Sequence, residues 1–154
     1  MKTIIAVWAV WTAVLTAGFG ATGWTKDYDA ALATAKRENK PVLVQFTGQK
    51  WCALCVILEK KIFSKKQFLE TASKKWVLLE LDLTRGKLDK MPPAQRAMYE
   101  RNRKLAHKFK LRSVPTFILL DPNGKEFSRF LGESTWTVES FLKLLDDQLA
   151  KKGK

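Results

Sequence analysis

The sequence predicts an α/β fold in which helices cover both faces of a central mixed β-sheet. Short apolar segments typical of buried strands alternate with segments of helical periodicity along the chain. An Asp-Pro-Asn-Gly turn between two strand-like segments indicates an antiparallel hairpin late in the chain. The length of 154 residues and the hydrophobic content of 46% suit one globular domain with a short appendage, and they exclude two large domains or a disordered chain.

The first half of the domain reads as helix, strand and helix. Apolar spacing predicts a helix over residues 28–39 with Asp27 as its N-cap, and the apolar, β-rich residues 41–46 predict a strand buried on both faces. A polar turn over residues 47–50 leads into a helix predicted over residues 53–63. Ser64 and Gln67 have capping-box spacing, which predicts a second helical piece after it.

The second half supplies three more strands and a closing helix. Strands are predicted over residues 76–82 and 116–120 and near residues 126–131, the last two joined by the Asp-Pro-Asn-Gly turn. Thr137 is a plausible cap for the final helix. The first two predicted strands should be parallel and joined by a right-handed crossover.

A helical insertion is expected between residues 84 and 113, before the third predicted strand. Pro92 and Pro93 precede a basic helix there, whose apolar side is expected to contain Ala94, Ala97, Met98, Leu105 and Phe109. Its basic residues could contact an acidic partner or a membrane surface, although a solvated face is the simpler interpretation. No aromatic-interleaved basic motif accompanies them, so we expect no nucleic-acid partner despite the net charge of +13.

The N-terminus has the order of a signal peptide. A lysine precedes an apolar run over residues 4–15 and a tail of small residues, which favours cleavage after Gly20 or Gly23. The run is shorter than the roughly 20 residues that span a bilayer, although an uncleaved anchor is an alternative. We therefore expect a signal peptide over residues 1–23 and one domain over residues 24–154, exported to the periplasm or cell envelope, where disulfides persist.

Cys52 and Cys55, the only cysteines, are separated by two residues and follow a predicted buried strand. At a helix N-terminus, unpaired N–H groups and the helix dipole depress the pKa of a thiol below its usual value of ~8.5. Cys52 is therefore the expected nucleophile, and Cys55, on the inner side of the first turn, is expected to resolve a mixed disulfide. A structural disulfide would add little across so short a loop, and zinc would need more ligands than His107 can add.

The chain resembles the thioredoxin superfamily, and more closely its exported thiol:disulfide interchange proteins, from Trp24 to about Ala150. The resemblance is carried by five stretches of sequence: ENKPVLVQFTG, WCALC, LDLTRGKLDKMPP, SVPTFILLDPNGKE and the closing helix. It implies a thioredoxin fold and a redox-active Cys52–Cys55 disulfide. It also implies a cis-proline at Pro115 facing the cysteines, a Val114 backbone that binds an extended substrate, and a substrate groove shaped by Trp51 and Pro115.

The resemblance implies a thiol:disulfide oxidoreductase that uses no metal or other cofactor. Its expected partners are proteins with disulfides or thiols, together with a membrane electron donor as a further candidate, and the protein is expected to be a monomer. A redox-inactive module that binds partners along the same groove is the alternative. Such modules usually lack a cysteine of the pair, and this chain keeps both.

The sequence departs from the family pattern at two places, Gln45 and the Ala53–Leu54 pair. Gln45 occupies the place where thioredoxins often carry a buried acid, so the group that accepts the Cys55 proton is unassigned. Ala53 and Leu54, between the cysteines, add no charge or histidine dipole to stabilise a thiolate, although Lys50 could contribute or could simply be solvated. The helix dipole alone favours a potential nearer the reducing end, ~ −270 mV, and hence a reductase or isomerase.

Overall fold

A computed structural model describes residues 23–83, 86 and 88–153 of the chain. The predicted signal peptide lies outside these residues apart from Gly23. Within the described ranges, no helix combines the length and apolar character needed to cross a bilayer.

Five strands in the described residues form one mixed sheet: β1 (Trp24–Thr25), β2 (Val42–Thr47), β3 (Val77–Asp82), β4 (Thr116–Leu120) and β5 (Glu126–Leu131). A mixed sheet was predicted, with four of these strands. Three of them, β1, β3 and β2, run parallel to one another, β4 is antiparallel to β2, and β5 is antiparallel to β4. The order across the sheet is β1-β3-β2-β4-β5, so β2 is its central strand and is buried along its whole length.

Five α-helices in the described part of the chain cover the sheet: α1 (Tyr28–Glu38), α2 (Ala53–Leu58), α3 (Lys66–Lys75), α4 (Pro93–Lys108) and α5 (Val138–Lys152), with a short 3-10 turn at Leu88–Lys90. Side-chain caps explain where two of them begin. The Asp27 side chain accepts a hydrogen bond from the Ala30 N–H at the start of α1, and Thr137 forms a capping box with Ser140 at the start of α5, so both predicted caps are confirmed.

The two faces of the sheet bury separate cores because alternate strand residues point to opposite sides. On one face, Leu43 and Leu78 pack with α2, α3 and α5 around a cluster of buried phenylalanines that includes Phe63 and Phe141. On the other face, Phe46 packs with α1 and with Phe109 at the end of α4. This two-sided burial fits the apolar character of β2.

The structure differs from the prediction in three details. The short strand β1 was not foreseen, because two residues show no periodicity. The helix expected over residues 53–63 changes at Glu59–Phe63 into a π-helical turn, in which the Ser64 N–H bonds to the Glu59 carbonyl five residues earlier. Ser64 also donates its hydroxyl to that carbonyl instead of forming a capping box with Gln67, and α3 begins after Lys65 with no side-chain cap.

The insertion helix α4 lies between β3 and β4 as predicted, but only its C-terminal half packs as expected. Ala94 and Ala97 are exposed, whereas Leu105 and Phe109 pack against the core. The deepest residue of the helix is polar: Asn102 is 3% exposed, and its side-chain amide donates to the Asp82 carbonyl at 2.9 Å. A buried amide therefore anchors α4 to the end of β3.

Candidate active site

Three chain segments meet at one edge of the sheet because of the strand directions. Phe46 of β2 lies beside Leu81 of the parallel strand β3 and beside Thr116 of the antiparallel strand β4. The segments that follow β2 and β3 and the segment that precedes β4 must therefore leave the sheet together. This edge holds the predicted site residues Trp51, Cys52, Cys55, Val114 and Pro115.

The cysteine pair opens α2 at this edge. Cys52 is the N-cap residue and forms a disulfide with Cys55, with the two Cα atoms 5.3 Å apart. The Cys55 N–H lies 3.2 Å from the Cys52 Sγ, and the Gly48 N–H donates to the Cys55 Sγ at 3.4 Å. Cys52 is 9% exposed and Cys55 is fully buried, so only Cys52 can be reached from solvent.

The segment before β4 faces the disulfide. The Val114–Pro115 peptide bond is cis, as predicted, and the Val114 carbonyl oxygen lies 3.9 Å from the Cys52 Sγ. The Gly132 N–H donates to the Pro115 carbonyl at 3.0 Å. A Cβ atom on Gly132 would lie 2.5 Å from the Pro115 ring, so a glycine is needed for β5 to approach the proline this closely.

Trp51 forms the exposed rim beside Cys52. Its indole is 36% exposed, and its Nε1 donates to the Leu83 carbonyl just beyond β3 at 2.9 Å. The ring covers Gly48, where an added Cβ atom would lie 2.6 Å from the indole. Two glycines, one on each side of the disulfide, thus permit the close packing of Trp51 and Pro115.

A buried carboxylate lies on the same face of the sheet as α2, although the sequence analysis did not find it. Glu80 of β3 is the register partner of Gln45 and is 6% exposed. Its side chain accepts a hydrogen bond from the Gln49 side-chain amide at 2.8 Å, and Gln49 directly follows Gly48, whose N–H contacts Cys55. Glu80 therefore supports the loop that holds the resolving cysteine.

The surroundings of Glu80 make its carboxyl a weaker acid than an exposed glutamate. Burial raises the pKa of Glu80 and the neighbouring Asp82 raises it further, against the opposing effects of Lys26, 3.6 Å away, and of the Gln49 hydrogen bond. The pKa of Glu59, at the start of the π-helical turn, is also raised, first by burial and then by the charge of Glu80. The second carboxylate therefore lies close enough to Glu80 to interact with it.

A sequence signal for Glu80 was present. It is a single acid within the otherwise apolar run WVLLELD, and a charged residue inside a buried strand needs a reason. Gly48 and Gly132 carried no comparable sequence signal. Any side chain on Gly132 would clash with Pro115 and Leu58, which lie far away in the sequence, and one on Gly48 would clash with the folded position of the Trp51 ring.

The family profile described as "Thioredoxin-like domain" matches residues 28–149. The chain belongs to this thioredoxin-like family. Its fold is also similar to solved structures: to a DsbH oxidoreductase with a TM-score of 0.70 and 24% identity, over 82% of this chain and 83% of that one, and to a thioredoxin from Thermus thermophilus with a TM-score of 0.62 and 23% identity, over 84% and 88%.

Relatives whose names specify an activity include the disulfide bond reductase DsbH of Chlamydia pneumoniae, which is 27% identical to this chain over 104 residues. The alignment covers 68% of this chain and 60% of DsbH. Thiol:disulfide interchange protein DsbD 2 of Pseudomonas aeruginosa is 32% identical over 100 residues, which are 65% of this chain and 15% of that protein. The chain thus spans less than two thirds of the length of these relatives.

Replacing Glu80 by glutamine should change how stability depends on pH. The pKa of Glu80 is raised in the folded state, so as pH rises above about 4.3 the unfolded chain loses this proton before the folded protein does. Between these two pKa values, the wild-type protein therefore loses stability relative to Glu80→Gln as pH rises. Urea unfolding of both proteins in the disulfide form, in which no thiol titrates, across about pH 4 to 8 measures this difference.

Glu70→Gln is the matched control, because Glu70 is an exposed carboxylate on α3 that pairs only with Lys66 at 3.6 Å among the ion pairs of the described residues. Its replacement removes one exposed carboxylate and leaves the buried Glu80 in place, so the two variants are compared at each pH. A stability difference between wild type and Glu80→Gln that stays constant with pH would contradict the assigned environment of Glu80.

Proposed function

We propose that this thioredoxin-like protein is a thiol:disulfide oxidoreductase that reduces or isomerises disulfides of other proteins through Cys52 and Cys55. The observation that supports it most is the asymmetric pair at the start of α2: Cys52 borders solvent and Val114, while Cys55 is enclosed behind it. A purely structural disulfide needs no exposed nucleophile and no facing substrate surface. The named reductase and interchange relatives point to the same chemistry.

The reaction starts from the reduced pair. The Cys52 thiolate, stabilised by the N–H groups at the start of α2, attacks one sulfur of a substrate disulfide, and the other substrate sulfur leaves as a thiolate that takes a proton. Cys55 then attacks the Cys52 sulfur, which forms the Cys52–Cys55 disulfide and releases the second substrate thiol. The substrate gains two electrons and two protons, and a partner dithiol must restore the reduced enzyme.

Cys55 must lose its proton before it attacks, and we assign Glu80 as the acceptor. A carboxylate with a raised pKa is suited to take a thiol proton near neutral pH. Glu80 shares a sheet face with α2 and is linked to the Cys55 sulfur through Gln49 and Gly48. Glu80→Gln should therefore slow the release of substrate from the mixed disulfide, whereas Glu70→Gln should not.

Cysteine variants should separate the two roles. Cys55→Ser should accumulate a mixed disulfide between Cys52 and substrate, because the resolving thiol is missing, while Cys52→Ser should reduce no insulin and trap no substrate. Insulin reduction and non-reducing electrophoresis measure these outcomes. Substrate trapped by Cys52→Ser would contradict the assignment of the nucleophile, and substrate binding without any insulin reduction by the wild-type protein would favour a redox-inactive binding module.

The direction of the reaction should be reducing. The thiolate of Cys52 receives support from the helix N-terminus, while Ala53 and Leu54 contribute no charge, which favours a potential nearer ~ −270 mV than the strongly oxidising ~ −120 mV. Equilibration with glutathione buffers, followed by alkylation and mass measurement, gives the potential. A value above about −160 mV would instead indicate an oxidase.

The proposed place of action is outside the cytoplasm, with a membrane electron donor as the source of reducing equivalents. The support is the order of charged, apolar and small residues over residues 1–23. N-terminal sequencing of the protein from a cell-envelope fraction should give a start near Ala21 or Trp24. An intact Met1 in a membrane fraction would instead indicate an uncleaved anchor, and recovery in the cytoplasm would contradict export.

A further inference from the structure

An open groove of about 840 Å³ begins beside the cysteine pair. Trp51 and Val114 line the groove near the disulfide, and Tyr99 and Arg103 line it from α4. The residues that connect α4 to β4 complete it. The groove therefore runs from the reactive sulfur towards the insertion helix.

A polypeptide joined to Cys52 can reach this groove directly. The Val114 carbonyl that lines it is 3.9 Å from the Cys52 sulfur, and Trp51 is the residue before Cys52. Each residue of an extended chain advances about 3.3 Å, so residues within two or three positions of a substrate cysteine would lie in the groove. The groove is thus placed to contact the residues on either side of the attacked cysteine.

The groove is strongly basic. Arg103, Lys110 and Arg112 all line it and are exposed, and no acidic side chain is among its described lining residues. Within the part of the chain that the structure describes, none of the three forms an ion pair. Their charges therefore remain available to a partner.

The positions of these cations are not explained by the stability of α4. A positive charge near a helix C-terminus is favoured by the helix dipole, which accounts for Lys108. Arg103 lies in the middle of the helix, with its guanidinium 5.7 Å from the Tyr99 ring centre, and Arg112 lies beyond the helix. Lys110 adopts a φ of 50°, where a helix end usually has glycine or asparagine.

We infer that this groove binds an acidic, extended segment of the substrate protein next to the cysteine that Cys52 attacks. The inference rests on the proposed function. Guanidinium groups bind carboxylates with paired hydrogen bonds. The rings of the exposed Trp51 and the half-buried Tyr99 can contact the aliphatic parts of such a segment. A groove accommodates an extended chain, whereas a membrane surface would meet a flat or protruding basic face.

Two short peptides test the inference, each with one cysteine in a mixed disulfide with 2-mercaptoethanol and with either glutamates or lysines around it. We expect kcat/KM to favour the glutamate peptide by about tenfold at low salt, the size that two or three exposed charge pairs produce, and the preference should shrink as salt is added. Arg103→Gln/Arg112→Gln should reduce the preference to about threefold or less.

Arg101→Gln/Lys104→Gln is the matched control. It removes the same charge from the same region, but Arg101 and Lys104 line a separate cavity shared with α1. It should keep the wild-type preference. An equal loss in both double variants would show that net charge alone attracts the acidic peptide and would overturn the inference.

Three further outcomes separate failure of the inference from failure of the proposed function. If the protein reduces uncharged 2-hydroxyethyl disulfide and reduces the two peptides at the same rate, the groove does not select acidic segments. The proposed thiol chemistry still stands in that case. If it reduces none of the three, the proposed function itself fails. If the groove variant loses binding to vesicles containing phosphatidylserine while the peptides show no preference, the groove serves a membrane surface and the inference is overturned.

Discussion

The structure depends on the central position of β2. This strand pairs with β3 on one side and with β4 on the other, in opposite directions, so one sheet edge collects the residues that follow β2 and those that precede β4. Cys52 and Pro115 are 63 positions apart in the chain and meet for this reason. The burial of all six β2 residues holds that edge in place, since any shift of register would move Gln45 and Phe46 to the wrong faces.

Polar groups inside this frame are arranged around the resolving cysteine. Glu80 faces the α2 side of the sheet, accepts a hydrogen bond from Gln49, and keeps a raised pKa because burial outweighs the attraction of Lys26. The family pattern places an acid in the central strand, where this chain has Gln45. An acid on the adjacent strand, in register with Gln45, keeps a proton-accepting group on the same face.

The insertion helix α4 connects the fold to the groove beside the cysteine pair. Asn102 ties the helix to the end of β3, and Arg129 of β5 donates to the Phe109 carbonyl at 3.0 Å, so both ends of its packed half are anchored by buried or half-buried polar contacts. Arg103 lies in this packed half, and Lys110 and Arg112 follow the end of the helix. The anchoring of α4 therefore sets where these basic residues lie beside Trp51 and Val114 in the groove.

Local chemistry let the sequence alone determine much of this protein. Capping side chains placed the starts of α1 and α5, β-branched and aromatic runs placed the strands, and the spacing of Cys52 and Cys55 before a helical segment indicated the redox pair. Each of these signals acts over seven residues or fewer. The thioredoxin resemblance added Val114 and Pro115, whose cis peptide bond the structure shows.

Only the tertiary structure decided the rest. The pairing of Glu80 with Gln45, the contact of Gly132 with Pro115, and the union of Trp51 with α4 in one groove all join residues distant in the chain, and no local pattern encodes such distances. The two-residue strand β1 exists because β3 offers it an edge, and the π-helical turn and the exposed Ala94 arise where packing overrides helical periodicity. These features depend on the register between strands distant in the chain, which is set by which faces must be buried.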